Sequence, residues 1–248
     1  MNRFTASATH FGISLAVAGA IFLAVRLLWY PGPLFEVAGG LDLLLVIMGV
    51  DMTLGPLVTL IIFKPGKWGL KFDLTVIAIL QVAALVYGLW SIAESRPVFI
   101  TFVKDRFEMV RAGELDDADL AEGAPGFRDV SWFGYRLAGA LIPRNPDDQL
   151  RLMDSAILAG KDIQYFPRYY VDYEKVAPEA ARRAGPIARL RELNRERAAE
   201  LDAMLSGGRP ESELGFLPMR AGKRDMAVVV EKSSGGIVKL LPLRPWEY

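Results

Sequence analysis

The chain reads as a membrane α-helical region of three N-terminal transmembrane helices followed by an α+β domain, and three observations carry this reading. Of 248 residues, 52% are hydrophobic, more than a soluble domain of this length requires. The excess is gathered in three apolar stretches, 11–30, 41–63 and 74–93, each about 20 residues, enough to cross a ~30 Å hydrocarbon core as a helix. After residue 96 the composition becomes that of a folded soluble domain with its own core. The expected units are therefore 1–96 and 97–248.

The first stretch follows Arg3 and contains Ala16, Ala18 and Ala20, features shared with cleaved signal peptides. It is longer than the about 7–15 residues of a signal-peptide apolar core, lacks a small-x-small site before Pro31, and is followed by two more spans. It is read as a membrane helix. The second stretch includes MGVDMTLGP (48–56) and so buries Asp51 in an apolar run. A carboxylate at that depth costs at least about 2.5 kcal/mol, so it must face protein or water. Running the second span antiparallel to the third sets Asp51 level with Gln81. Three readings stay open: a clasp in which a protonated Asp51 bonds Gln81, a polar or cationic group on another protein's helix, or a proton or ion pathway. Gly55 and Pro56 follow, a small residue that permits close helix approach and a proline that removes one helical hydrogen bond. Arg26 and Asp42, each near one end of its span, are expected to pair.

Basic residues in the short connections give the orientation. Arg3 precedes the first span and Lys64, Lys67 and Lys71 lie between the second and third, whereas 31–40 has neither Lys nor Arg. The amino terminus and the 64–71 loop are therefore read as cytoplasmic. The domain after residue 96 then lies beyond the membrane, in the periplasm of a bacterium with two membranes. Trp29, Tyr30, Trp68 and Trp90 lie near span ends, where amphipathic rings favour the interface.

The outer domain opens with VFITFV (98–103), a strand by its β-branched and aromatic alternation. Residues 114–126 read as an acidic loop or short helix. Asn145-Pro146-Asp147-Asp148 starts a helix whose stripe is Leu150, Met153, Ile157 and Leu158. Residues 178–205 are the clearest helical region, broken near Gly185-Pro186. Finally, 225–231 and 237–243 flank a glycine-containing turn, as in a hairpin.

Little in the sequence points to catalysis. Lys and Arg (29) balance Asp and Glu (29), which gives no case for a nucleic-acid partner. No cysteine is present, and the single histidine, His10, sits at the edge of the first span, where it is read as interfacial. A histidine metal site or a Ser-His-Asp triad is therefore disfavoured. Asp105, Glu108 and Asp172 are read as solvated ion-pair residues rather than an acid/base pair. No phosphate-binding or nucleophile-elbow motif occurs. The expectation is a protein without catalysis, cofactor or metal.

Three segments together carry a family resemblance: GVDMTLGPLVTLIIFKPGK (49–67), SRPVFITFVKDRFEMV (95–110) and FLPMRAGKRDMAVVVEKSSGGIVKLLPLRPW (216–246). They resemble the type IV pilin accessory proteins of Gram-negative bacteria, inner-membrane proteins encoded beside the major pilin gene. Asp51, Leu54, Gly55, Pro56 and Thr59 fall in the membrane signature; Arg96, Pro97, Asp105, Arg106 and Phe107 fall in the segment leaving the membrane. The resemblance implies a role in type IV pilus biogenesis or dynamics, exerted on the major pilin or on the assembly platform, and no catalytic residue. It implies a bacterial inner-membrane site with the lipid bilayer as solvent. It also offers Asp51 a partner, since pilins carry a charged amino terminus before an apolar helix. Arg96, Asp105, Arg106, Tyr169 and Tyr170 are the candidate contacts of the outer domain. The rivals are a pilin-modifying transferase, which would carry more spans and an acidic loop, and an envelope sensor, for which the cytoplasmic parts are too small.

Overall fold

The computed structural model describes residues 2–247, apart from the side chain of Leu43; the expected limits at Met1 and Tyr248 lie outside the described residues. Helix α1 (Arg3–Ala24) starts at Asn2, whose side chain accepts from the Thr5 N–H at 2.8 Å. It continues as one π-helical turn, Val25–Trp29. A short α2 (Leu34–Val37) precedes α3 (Gly40–Ile62) and α4 (Leu70–Ser95). Three helical segments, 3–29, 40–62 and 70–95, are long and apolar enough to cross a membrane. They are only sparsely buried within the molecule, as expected where hydrocarbon covers the outward faces. Helix α3 packs on α1 along one flank and on α4 along the other.

Only Arg96 separates α4 from the sheet. The remaining elements are β1 (Pro97–Val103), β2 (Arg106–Arg111), α5 (Asp117–Ala121), β3 (Arg136–Ala140), α6 (Pro146–Ala159), β4 (Tyr170–Asp172) and α7 (Ala177–Arg183). They are followed by β5 (Gly185–Pro186), α8 (Ile187–Leu193), α9 (Ala198–Leu205), β6 (Leu214–Arg220), β7 (Met226–Glu231) and β8 (Ile237–Leu241). One eight-stranded mixed sheet results, ordered β4-β3-β1-β2-β6-β7-β8, with β5 paired to β6. Strands β1 and β3 run parallel, as do β2 and β6; the other neighbours are antiparallel. The starts of β1 and β3 and the ends of β2 and β6 therefore face the helices.

β1, the strand expected at 98–103, is buried along its whole length because the sheet is covered on both faces. The region 178–205 is three short helices rather than one interrupted helix: β5 intervenes at Gly185–Pro186, and a 3-10 turn at Arg195–Arg197 separates α8 from α9. Asn145 caps α6, its side chain accepting from the Asp147 N–H at 3.1 Å, but the α6 stripe is exposed rather than packed.

The sheet is seated on the helices by a continuous core. Tyr30, Leu34, Leu44 and Ile92 from the helical part pack with Ile100, Phe102, Phe107, Met219 and Met226 from the strands. The turn between β6 and β7 reaches back so that the N–H groups of Lys223 and Arg224 both donate to the Val37 carbonyl, at 3.1 and 3.2 Å. Gly222 in this turn has φ +95, a conformation that residues with a side chain adopt only under strain, which favours glycine.

Candidate functional site

Asp51 lies eleven residues from each end of α3, about 16 Å along the axis at 1.5 Å per residue. Its Oδ1 accepts from Gln81 Nε2 of α4 at 2.9 Å. One turn further on, Gly55 makes the approach possible: an added Cβ would lie 2.1 Å from Gln81 Nε2 and 2.9 Å from His10 Nε2. Pro56 sits inside α3 without ending it, and its carbonyl accepts from Ser7 Oγ of α1 at 2.8 Å. His10 Nδ1 and Thr59 Oγ1 are 2.7 Å apart. Ser7, His10, Asp51, Gly55, Pro56, Thr59 and Gln81 thus form one polar seam that crosses three helices, from mid-length toward the end away from the sheet. Each such pairing avoids the cost of leaving a polar group unpaired among apolar side chains, about 1–3 kcal/mol.

The seam opens sideways into a groove of about 540 Å³ between α3 and α4. Its walls are Val46, Val50, Leu54, Ile77, Leu80 and Ala84, with Asp51 and Gln81 midway along. Close helix contact above Asp51 is permitted by Gly88, where a Cβ would meet Ile47 at 2.8 Å. Among the described residues, Gln81 is the sole hydrogen-bond donor to Asp51. A carboxylate has about four acceptor positions, so Asp51 keeps acceptor capacity toward the groove.

The expected pairing of Asp42 with Arg26 does not form. The π-helical turn carries Arg26 over its own helix end, where Nη1 donates to the Tyr30 carbonyl at 3.1 Å and the guanidinium lies 5.7 Å from the Phe35 ring centroid. Asp42 instead forms an ion pair with Lys223 of the β6–β7 turn. His10, at the edge of the first span, is also part of the seam through its contact with Thr59 near the end of α3. Ser7, His10 and Thr59 were not read as neighbours of Asp51. The available signal was Ser7 and His10 standing three residues apart on one face of the first span.

In the sheet domain, Arg96 and Tyr170 are buried and so are not surface contacts. Arg96 Nη1 donates to the Ala93 carbonyl at 2.6 Å, closing the end of α4. Tyr170 packs edge-on to Phe99 and Phe127, with ring centroids 5.2 and 5.5 Å away, and its hydroxyl donates to the Gln164 carbonyl. Tyr169 is half-buried, with the Arg168 guanidinium 5.2 Å from its ring centroid. Asp105 is exposed beside Arg106, at 3.5 Å, and Arg106 Nε donates to Glu108 at 2.5 Å. Burial pushes the Glu108 carboxyl above its ordinary value, against the pull of Arg106. Asp172 pairs with Lys175 at 3.8 Å, away from that cluster.

Comparison with known proteins agrees along most of the chain. The family model described as fimbrial assembly protein FimB matches residues 1–39. The fimbrial assembly proteins of serogroups I and E1 of Dichelobacter nodosus are each 28% identical over 233 residues, covering 92% of this chain and 90% of theirs. That of serogroups C1 and C2 is 34% identical over 112 residues, 44% of this chain and 85% of the relative. No solved structure matches. With 85% of a relative covered at 34% identity, the chain belongs to the family of fimbrial assembly proteins.

Proposed function

We propose that this protein serves type IV pilus assembly as a non-catalytic inner-membrane factor that holds an apolar helix laterally in its α3–α4 groove. Family membership supports a role in pilus biogenesis. The observation that supports the finer reading is Asp51, an intramembrane carboxylate with one amide donor, opening onto an apolar groove. A helix carrying a cationic amine, as a pilin does by the resemblance, would complete its hydrogen bonding in a low-dielectric setting where such pairing is strong. Arg3, Lys64, Lys67 and Lys71 at one end of the helices favour a cytoplasmic location for that end and a periplasmic one for the sheet.

The test uses the absence of cysteine from the chain. A single cysteine at Leu54 or Leu80, both exposed in the groove, should crosslink to a cysteine placed in the pilin helix, whereas one at Leu23 on α1 should not. Asp51→Asn should weaken both the crosslink and surface piliation at normal protein level. Equal crosslinking from all three positions, or full piliation and crosslinking in the Asn variant, overturns the proposal.

A further inference from the structure

We infer that the turn bearing Trp132 and Phe133 is a lipid anchor, seated in the headgroup region of the leaflet nearest the sheet domain. This rests on the membrane association of α1, α3 and α4 and not on what occupies the groove. Both side chains project from the surface, Trp132 65% and Phe133 67% exposed. Two adjacent exposed aromatic rings concentrate apolar surface at one point, and their position names the partner.

The Gly134 N–H donates to the Leu28 carbonyl at 2.8 Å. Leu28 belongs to the last turn of the first apolar segment, where Leu27 and Leu28 are themselves exposed. Two residues later β3 begins, parallel to β1, and β1 follows directly from α4. The turn is therefore level with two span ends at once, where lipid headgroups must lie if those helices are bilayer-embedded. Aromatic rings with an amphipathic character partition to that layer.

The turn is also held in a fixed shape. Ser131 Oγ donates to the Phe133 carbonyl at 2.6 Å and accepts from the Phe133 N–H at 3.1 Å. Nε and Nη2 of Arg96 both donate to the Ser131 carbonyl at 3.4 Å, and the guanidinium lies 4.9 Å from the Trp132 ring centroid. Arg96 also caps α4, so the last turn of the third span sets the ring's orientation. By contrast, the exposed α6 stripe follows the opposite end of β3, away from the helices. The anchor gives the sheet a further point of support on the bilayer beside its covalent link to α4, which restrains tilting of the sheet against the membrane.

The test is a nitroxide on Phe133→Cys in the full-length protein, reconstituted in vesicles of phosphatidylethanolamine and phosphatidylglycerol, with Leu158→Cys on α6 as the aqueous reference. The expected result is severalfold lower collision with a water-soluble nickel chelate at 133 than at 158, with collision with oxygen retained. In unlabelled protein, Trp132→Phe should lower the fraction of tryptophan emission quenched by shallow brominated lipid. A label at 133 as accessible to nickel as that at 158 overturns the inference. So does one shielded from both reagents, which means protein covers the turn, or an unchanged quenched fraction.

Discussion

The helical part and the sheet part of this molecule solve opposite solvent problems with the same chain. In the helices the apolar side chains point outward, Leu80 and Ile61 among them, while polar groups are drawn inward into the seam from Ser7 to Gln81. In the sheet domain Phe99, Ile100 and Val228 are fully buried, and charge lies outside in exposed pairs such as Arg191 with Asp202 and Glu211. Hydrophobic burial from water drives the second arrangement. It has no equivalent between helices surrounded by lipid, where close packing and polar contacts hold the helices together. A substitution of one chemical type should therefore have unequal consequences in the two parts.

The largest contrast is expected from truncating apolar residues. Phe99→Ala removes a ring packed against Phe127 and Tyr170 and should cost about 3–5 kcal/mol, seen as rapid proteolysis of the sheet domain in isolated membranes. Leu80→Ala, on the outward wall of the groove, should leave the proteolysis rate unchanged. Equal sensitivity at the two positions would break the comparison. Next is Gly55→Leu. Its side chain would occupy the space held by Gln81 and His10, an overpacking worth about 1–3 kcal/mol. Crosslinking between cysteines on α3 and α4 in the membrane should fall, while the sheet domain's melting temperature stays the same.

How much of this was legible in the sequence follows the same division. A membrane helix announces itself in a single window of about 20 apolar residues, so the three spans and the level of Asp51 with Gln81 could be read directly. The sheet is built from pairings between distant segments, and nothing local in Leu214–Arg220 says that it joins β2 in parallel and β7 antiparallel. The β1–β2 hairpin was missed because its turn is Lys104-Asp105, with Lys104 at φ +56, where an Asn-Gly pair would have marked it. The Arg26–Asp42 error has a related cause. Each residue was matched to a charge within the membrane region, whereas Asp42 was taken by Lys223, 181 residues away, and Arg26 by its own helix end. Exposure of the α6 stripe was equally out of reach, because apolar spacing gives a face without saying what covers it.

Two smaller effects sharpen the contrast through charges of the sheet domain, one paired with the helical part and one within the sheet. Lys223→Ala removes an exposed ion pair with Asp42 and should cost no more than about 1 kcal/mol. Added salt should produce most of the same loss in the wild type. The least effect belongs to Glu108, whose buried carboxyl has a folded-state pKa above the ordinary 4.5. A group raised in this way contributes stability that is full below the unfolded value and is lost as pH rises through the folded value. Lowering the pH from 7 toward 4.5 should therefore raise the stability of the wild type relative to Glu108→Gln, in thermal unfolding of the full chain in detergent. Exposed carboxylates such as Glu211, held low by Arg191, lose stability over lower pH values in both proteins and cancel in the difference. A difference that falls with acidification would mean that the hydrogen bond to Arg106, and not burial, governs Glu108. The sheet domain would then hold an inward charge by pairing it.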